Sequence, residues 1–451
     1  MRPSAVYLIL LGLLTAASPA GAIDLAAPRE GLIEKPPFIQ SVKDVLPTEL
    51  IEKRGIYRVE YRVVSDGFLN TYSVSSLVND RQGPVAVRGG SVLREYIQEL
   101  GALKELTDKS TAGVVLNATG KAGIKILTAP GRAIGSLISA VRDPEGTWKT
   151  VKEVPSGVVG LFEYAGEETA KAYGSAKKAV VGESKERGAG KESLRSKAES
   201  EAEGYALRWA GYSSAEKELY AKLGVDPYTQ NEQLRSEIRR VAGAESAVNI
   251  AAKFVPGVGG LALVGDINKV LKVSREIATF SDPRKLKEKQ SAQLVDAGYG
   301  ASVVSDLFAN GTVSPTQLTM AAETLLALAS IRGSSGVAQR LAGAKSRESF
   351  IALLEAAGYL ARLHRIKPLQ ELLAGYGVPI GLTVERSLIV PLPVDSVFFT
   401  PPFAKNWNGV LAEAKRRGVT SIEVRLRGKA SPALEAALDR DGIYLFQSVE
   451  I

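Results

Sequence analysis

Apolar residues in this chain recur with period two near both ends and with a helical period between them. That switch limits the fold more than anything else in the sequence. Tyr57 to Val64 (YRVEYRVV) and Ser421 to Arg427 (SIEVRLR) alternate as half-buried strands do. Asp66-Gly67 follows the first run and Phe68 to Leu77 continues it, which predicts a hairpin with a two-residue type I′ turn. In that register Tyr61 faces Tyr72 and Val59 faces Val74. The apolar face so formed needs a cover, and Val92 to Lys104 (VLREYIQELGALK) is the helix predicted to supply it.

Helical spacing governs the middle of the chain. Ser213 with Glu216 and Thr229 with Glu232 read as two capping boxes, and Gly224 and Gly243 as the ends of the helices they open. Leu219 and Leu223 face inward on the first helix, and Leu234, Ile238 and Val241 on the second, so the pair is an αα-hairpin. Helices are also predicted over Gln290 to Phe308 with a break at Gly298-Tyr299-Gly300, over Pro315 to Ile331 capped by Ser314, and over Gly336 to Leu341, Arg347 to His364 and Lys367 to Gly375. From Gly377 the period changes again: a strand over Leu382 to Val390, a helix over Trp407 to Arg417, the Ser421 strand, a helix over Pro432 to Asp439 and a strand over Ile443 to Val449. That β…αβαβ order predicts partly parallel pairing.

The expected fold class is therefore mainly α with two small α/β parts: an N-terminal β-hairpin plus helix unit, a central helical bundle and a C-terminal α/β unit. The expected divisions are a signal peptide over 1–22, a small α+β unit over 23–110, a Gly/Ala-rich amphipathic helical region over 111–182, a polar linker over 183–204, a helical core domain over 205–376 and the α/β unit over 377–451. The signal-peptide reading rests on Arg2, the apolar run Ala5 to Ala17 and the small residues Ala20-Gly21-Ala22. It places the protein outside the cytoplasm, in the periplasm or secreted. The chain has no cysteine, so such a protein rests on packing without disulfides.

The most apolar stretch is Ala247 to Val270 (AVNIAAKFVPGVGGLALVGDINKV), broken at Pro256-Gly257. Lys253 and Asp266 bound its uninterrupted run, which favours the buried turn of a helical core over entry into a bilayer. Gly257 to Ala262 matches G-x-G-x-x-A, but the strand that a dinucleotide site requires before it is missing. No cofactor is expected. A single histidine, His364, and no cysteine argue against a zinc site, and no metal is expected. No G-x-S-x-G elbow accompanies His364.

Two surfaces are candidate interaction sites. Arg416, Arg417, Arg425, Arg427 and Lys429 fall close together, with Arg425 and Arg427 expected beside Glu423 on the outer face of a strand; they read as a patch for an anionic partner or as a solvated sheet face. Trp148, Val151, Val158 and Phe162 share a helical face that suits contact with a membrane surface or packing on the rest of the protein. The net charge of +8 is spread out, without a basic stripe interleaved with aromatics, so no nucleic-acid role is expected.

The block Tyr212 to Ala242 (YSSAEKELYAKLGVDPYTQNEQLRSEIRRVA), with the apolar stretch after it up to Val270, resembles segments of uncharacterised exported bacterial proteins, a likeness that implies export and no particular activity. Phe254 to Gly259 also resembles apolar hairpins of bacterial toxins and pore formers. The expected function is that of an exported, non-enzymatic interaction protein whose partner is a protein, an envelope polymer or an anionic membrane surface. The alternatives are an effector that inserts the 247–270 hairpin into membranes and a hydrolase acting on envelope polymers through a cleft of polar side chains.

Overall fold

Tyr57, Val59, Val63, Tyr72, Val74 and Val87 are almost wholly buried, because alternation puts them on one face of an antiparallel sheet and a helix lies across that face. The computed structural model describes residues 32–36, 38–78, 83–115, 212–244 and 283–449, with twelve helices and thirteen strands among them. The signal peptide, the membrane-contact face (Trp148, Val151, Val158, Phe162), the 183–204 linker and the Ala247–Val270 stretch lie outside the described residues.

The chain opens with β1 (Phe38–Ser41), α1 (Val42–Val45), α2 (Thr48–Ile51), β2 (Glu52–Lys53), β3 (Tyr57–Val59), β4 (Arg62–Ser65), β5 (Asn70–Ser76) and β6 (Val85–Arg88). These strands form a six-stranded antiparallel sheet ordered β1-β4-β5-β3-β2, with β6 on the free side of β5. Val59 faces Val74 as predicted, but Val64 faces Thr71 and Ser65 faces Asn70. The turn is therefore four residues long: Asp66 N–H donates to Leu69 O, and the Asp66 carboxylate accepts from Phe68 N and Leu69 N, both at 2.9 Å. The strand breaks at Tyr61, which is 66% exposed instead of facing Tyr72. The longer turn and the break each shift the register by two. Parity, and with it the buried face, survives.

Helix α3 (Gly90–Val115) covers this sheet with Leu93, Ile97 and Leu100. Helices α4 (Ser214–Leu223) and α5 (Glu232–Ala244) form the expected αα-hairpin and pack on α3 through Leu103 and Leu106. The first capping box is present as read: Ser213 Oγ accepts from Glu216 N and the Glu216 carboxylate accepts from Ser213 N. The second is not. Asn231 caps α5 by accepting from Leu234 N, and Thr229 turns its hydroxyl to Glu99 instead. Ser213→Ala is expected to cost about 1 kcal/mol, the usual worth of an N-cap, measured by urea unfolding at pH 7; an unchanged midpoint contradicts the cap assignment.

The central helices do not make a bundle of their own, and this corrects the mainly-α expectation. Helices α6 (Pro283–Asp296), α7 (Ala301–Phe308), α8 (Pro315–Leu328), α9 (Ser334–Ala342) and α10 (Arg347–His364) share one hydrophobic core with a five-stranded mixed sheet. The sheet is built from β7 (Leu369–Tyr376), β8 (Val378–Thr383) and β9 (Ser387–Leu392), followed after β10 (Ser396–Val397) and α11 (Pro401–Arg417) by β11 (Ser421–Leu426), and after β12 (Lys429–Ala430) and α12 (Pro432–Arg440) by β13 (Tyr444–Phe446). Its order is β13-β11-β9-β8-β7. Every residue of β8 and β9 is buried, which requires cover on both faces; α10 lies on one of them, so close that a Cβ on Gly381 would stand 2.9 Å from Leu360. The apolar stripes of the central helices are thus spent on a sheet.

Two further readings change. Lys367 to Gly375, expected as a helix, is β7: its leucines suit either period, and pairing with β8 decides the matter. The single strand expected over Leu382 to Val390 is the β8–β9 hairpin. Its turn holds Arg386 at φ 63°, without the Gly, Asn or Asp that would have announced it. The predicted parallel pairing is present, with β9, β11 and β13 side by side and parallel.

Candidate functional site

Parallel strands deliver their successive loops to one edge of a sheet, and that edge is where open α/β sheets commonly bind ligands. Here β9 runs into Asp395, β11 into Arg427, Gly428 and Lys429, and β13 into Ser448 and Val449. All six residues line a single cleft of about 830 Å³. Across it stand Tyr72 of β5, the first turns of α3, and Glu355 and Arg362 of α10. The Gly224–Asp226 loop and α8 close the far end.

A buried ionic cluster holds the strand edge to the N-terminal sheet. The Asp395 carboxylate, 6% exposed, accepts from Gly90 N at 2.9 Å and Asn70 N at 3.0 Å, and so caps a helix that starts 305 residues earlier. Any Cβ on Gly90 would stand 2.5 Å from Asp395 Oδ1, and one on Gly428 would stand 1.7 Å from Asp395 O; both positions need glycine for this approach. Arg427 donates to Glu355 Oε2 and to Pro393 O, each at 2.7 Å, lies 3.5 Å from Asp395 Oδ1 and also donates to Ser91 Oγ. Ser91 in turn donates to Glu355 Oε1 at 2.6 Å. Burial works against the charge on Arg427, but Glu355 and Asp395 raise its pKa above the ordinary arginine value.

The far end is acidic. Glu95 accepts from Arg347 at 2.7 and 2.8 Å. Asp226 accepts from the hydroxyls of Ser314 at 2.9 Å and Thr316 at 2.6 Å, and from Tyr228 N at 3.0 Å. Glu99, 6% exposed, accepts from the Thr229 hydroxyl. Burial first, and the neighbouring Glu95 second, push its carboxyl up to about 8, so it carries a proton at neutral pH.

The interior acids therefore all have partners. Arg94 lines the cleft one turn after Ser91 and makes no hydrogen bond or ion pair among the described residues, while Asp395 and Glu355 act on its charge from farther off. Burial, and then Arg427 nearby, lower its pKa below the ordinary arginine value. Lys43, Arg362 and Lys429 add positive charge at the exposed rim, and Asp44 and Glu49 negative charge.

Only part of the basic patch read from the sequence lies here. Arg427 and Lys429 line the cleft. Arg416 is tied to Glu413 at 2.9 Å, Arg417 to Glu371 at 2.8 Å, and Arg425 pairs with Glu423 and lies 3.8 Å over the Phe446 ring. Alternation placed Arg427 beside Arg425, but β11 ends at Leu426 and the parity ends with it; Arg427 turns inward, its side chain 9% exposed. Arg94, Glu99, Glu355 and Asp395 went unnoticed in the sequence, and Tyr72 was read only as part of the apolar sheet face. Only Arg427-Gly428-Lys429, directly after a well-marked strand, carried a readable signal.

His364 ends α10, its Nδ1 accepting from Leu369 N at 2.9 Å. Among the described residues no group of three or more His, Cys, Asp or Glu could hold a metal ion, and no helix is long and apolar enough to cross a membrane. No family model, curated protein or solved structure matches the chain.

Proposed function

We propose that this chain is an exported, non-enzymatic binding protein whose cleft takes a small anionic ligand from the cell envelope. One observation carries the reading: Arg94 is a partly buried cation with no hydrogen bond or ion pair among the described residues, while the acids inside the cleft are engaged. A guanidinium that lines the cleft with no hydrogen-bonded acceptor can take one from an anion. The cleft volume is that of a small-molecule site. Export rests on the signal-like first 22 residues.

The test is a thermal-shift and calorimetric titration of the chain from residue 23 onward with citrate, phosphate and acetate, against glucose as a neutral control. At least one anion should stabilise the protein, by about 2.7 kcal/mol at a hundred times its Kd. Arg94→Gln should remove that shift while the unliganded variant stays folded. No shift with any anion, or an undiminished shift in Arg94→Gln, overturns the reading.

A second reading, hydrolysis of an envelope polymer, is favoured by one observation. Glu99 carries its proton at neutral pH one helical turn from Glu95, as a general acid beside a carboxylate does. Release of soluble fragments from envelope polysaccharide, abolished in Glu99→Gln, would support it. Absence of release by the wild-type protein removes it.

A further inference from the structure

We infer that one end of the mixed sheet is a docking tip for an anionic lipid bilayer, formed by the turns 365–368, 384–386 and 418–420 that precede β7, β9 and β11. Ile366 is 86% exposed and Val384 61% exposed, more than any other large aliphatic side chain among the described residues. Val384 N–H donates to Pro368 O at 3.3 Å, so the turn that carries Val384 lies against the turn that carries Ile366. Thr420 N–H donates to Arg386 O at 3.0 Å and joins the third turn to them. Tyr444, 54% exposed, stands opposite Glu423 in the register of β11 and β13, and Lys367 reaches Glu423 at 3.0 Å, so this ring borders the same surface.

Charge and size choose the partner. Arg365, Arg386 and Lys415 are exposed at this end, and their side chains make no hydrogen bond or ion pair among the described residues. Lys415 stands one turn before Gly418, where an added Cβ would lie 3.5 Å from Arg386 Nη1. Against these three cations the turns present one exposed acid, Glu385. Glu423 is taken by Lys367 and Arg425, and Glu413 by Arg416 and Arg417. Protruding aliphatic side chains beside free cations suit a bilayer surface: the aliphatic groups enter the boundary between headgroups and acyl chains, and the long basic side chains stay with anionic headgroups. A protein partner fits less well. The three turns hold ten residues, where a stable protein interface takes roughly 20–30 on each side. Strands β9 and β11 start at this tip and run away from it to Asp395 and Arg427, so a bilayer held here leaves the strand edge of the cleft facing water.

In the experiment the chain from residue 23 onward is centrifuged with phosphatidylcholine vesicles, with and without phosphatidylglycerol, at low and high salt. It should sediment with the anionic vesicles and be released by salt, which screens exposed charges. Ile366→Glu combined with Val384→Glu should lower the partition coefficient about a hundredfold, about tenfold for each aliphatic side chain kept in water. Arg365→Gln combined with Arg386→Gln should lower it about twentyfold on anionic vesicles, about fivefold for each charge. All four side chains are exposed, so neither replacement disturbs the core. The chain has no cysteine, so Val384→Cys takes a single polarity-sensitive dye. Its emission should shift to the blue on anionic vesicles, while the same dye at Val295→Cys, exposed but outside the tip, should not respond. Absence of sedimentation with anionic vesicles, undiminished sedimentation of the Ile366→Glu, Val384→Glu variant, or an unmoved emission at Val384→Cys each overturn the proposal. A variant that instead turns an oligomer of the free protein into a monomer makes the tip an interface between copies and overturns it as well.

Discussion

Arg427→Ala is expected to destabilise the protein by about 3–5 kcal/mol at pH 7, the cost of removing one partner from a buried ionic cluster. The arginine side chain is 9% exposed and its partners Asp395 and Glu355 are 5% and 17% exposed. Its loss leaves two carboxylates out of water with only backbone N–H groups, Ser91 and the more distant Arg94 near them. Burial already pushes Asp395 above the usual carboxylate range, with Arg427 opposing, so removing Arg427 raises it further. A carboxyl raised in this way takes up its proton at a higher pH in the folded variant than in the unfolded chain. Its deficit should shrink as pH falls from 7 to 4.5, because the raised carboxyl of the folded variant takes up a proton before the unfolded chain does. Urea unfolding at the two pH values measures this. A loss of only about 0.5 kcal/mol, the scale of an exposed pair such as Arg58 with Glu52, would show that the cluster does not hold the strand edge to the N-terminal sheet. Arg94→Gln is the contrasting case: that arginine makes no hydrogen bond or ion pair among the described residues and acts on Asp395 only at longer range, so its replacement should cost far less stability than that of Arg427.

Glu99→Gln should change the pH dependence of stability more than any other single replacement in the cleft. The Glu99 carboxyl titrates at about 8 in the folded protein against 4.5 ordinarily. From pH 4.5 to 8 the unfolded chain has lost this proton while the folded one keeps it. Stability therefore falls as pH rises through that window, and the contribution is gone above 8. Glutamine cannot ionise, yet its carbonyl can still accept from Thr229. The variant should match the wild type near pH 4.5 and exceed it at pH 9 by on the order of 4 kcal/mol. Unfolding midpoints at pH 4.5, 7 and 9 decide this. Parallel pH profiles for the two proteins would mean that Glu99 is ionised at neutral pH, and the general-acid reading would fall with its motivating observation.

Much of the local structure was legible because it is specified by neighbours in the chain. The Ser213 capping box, the Ser314 cap, the Gly224 helix end and the span Arg347–His364 are each set within one or two turns of backbone. Strand alternation marked the buried faces of β3, β5 and β11 correctly, and it survived a wrong turn length because two shifts of two residues leave parity intact. Leu369 to Tyr376 failed for the converse reason: a leucine-rich run fits either period, and only the neighbouring strand β8 selects one. The central helices carried correct apolar stripes, but a stripe says that it will be covered and not by what. Here a sheet covers them.

Outside Leu369 to Tyr376 and the β8–β9 turn, what the sequence by itself determined is where helices and strands form and which of their faces turn inward, since those follow from side-chain spacing and end-capping over a few residues. Tertiary structure alone decided the cleft. Asp395 reaches Gly90 across 305 positions and Arg427 reaches Ser91 across 336. No spacing rule links such residues, because the contact depends on how the antiparallel and mixed sheets are brought edge to edge. The same packing takes Glu99 and Tyr72 out of water and Arg94 partly so, which leaves a protonated acid, a hydroxyl held well above its ordinary pKa and a cation without a hydrogen-bonded acceptor.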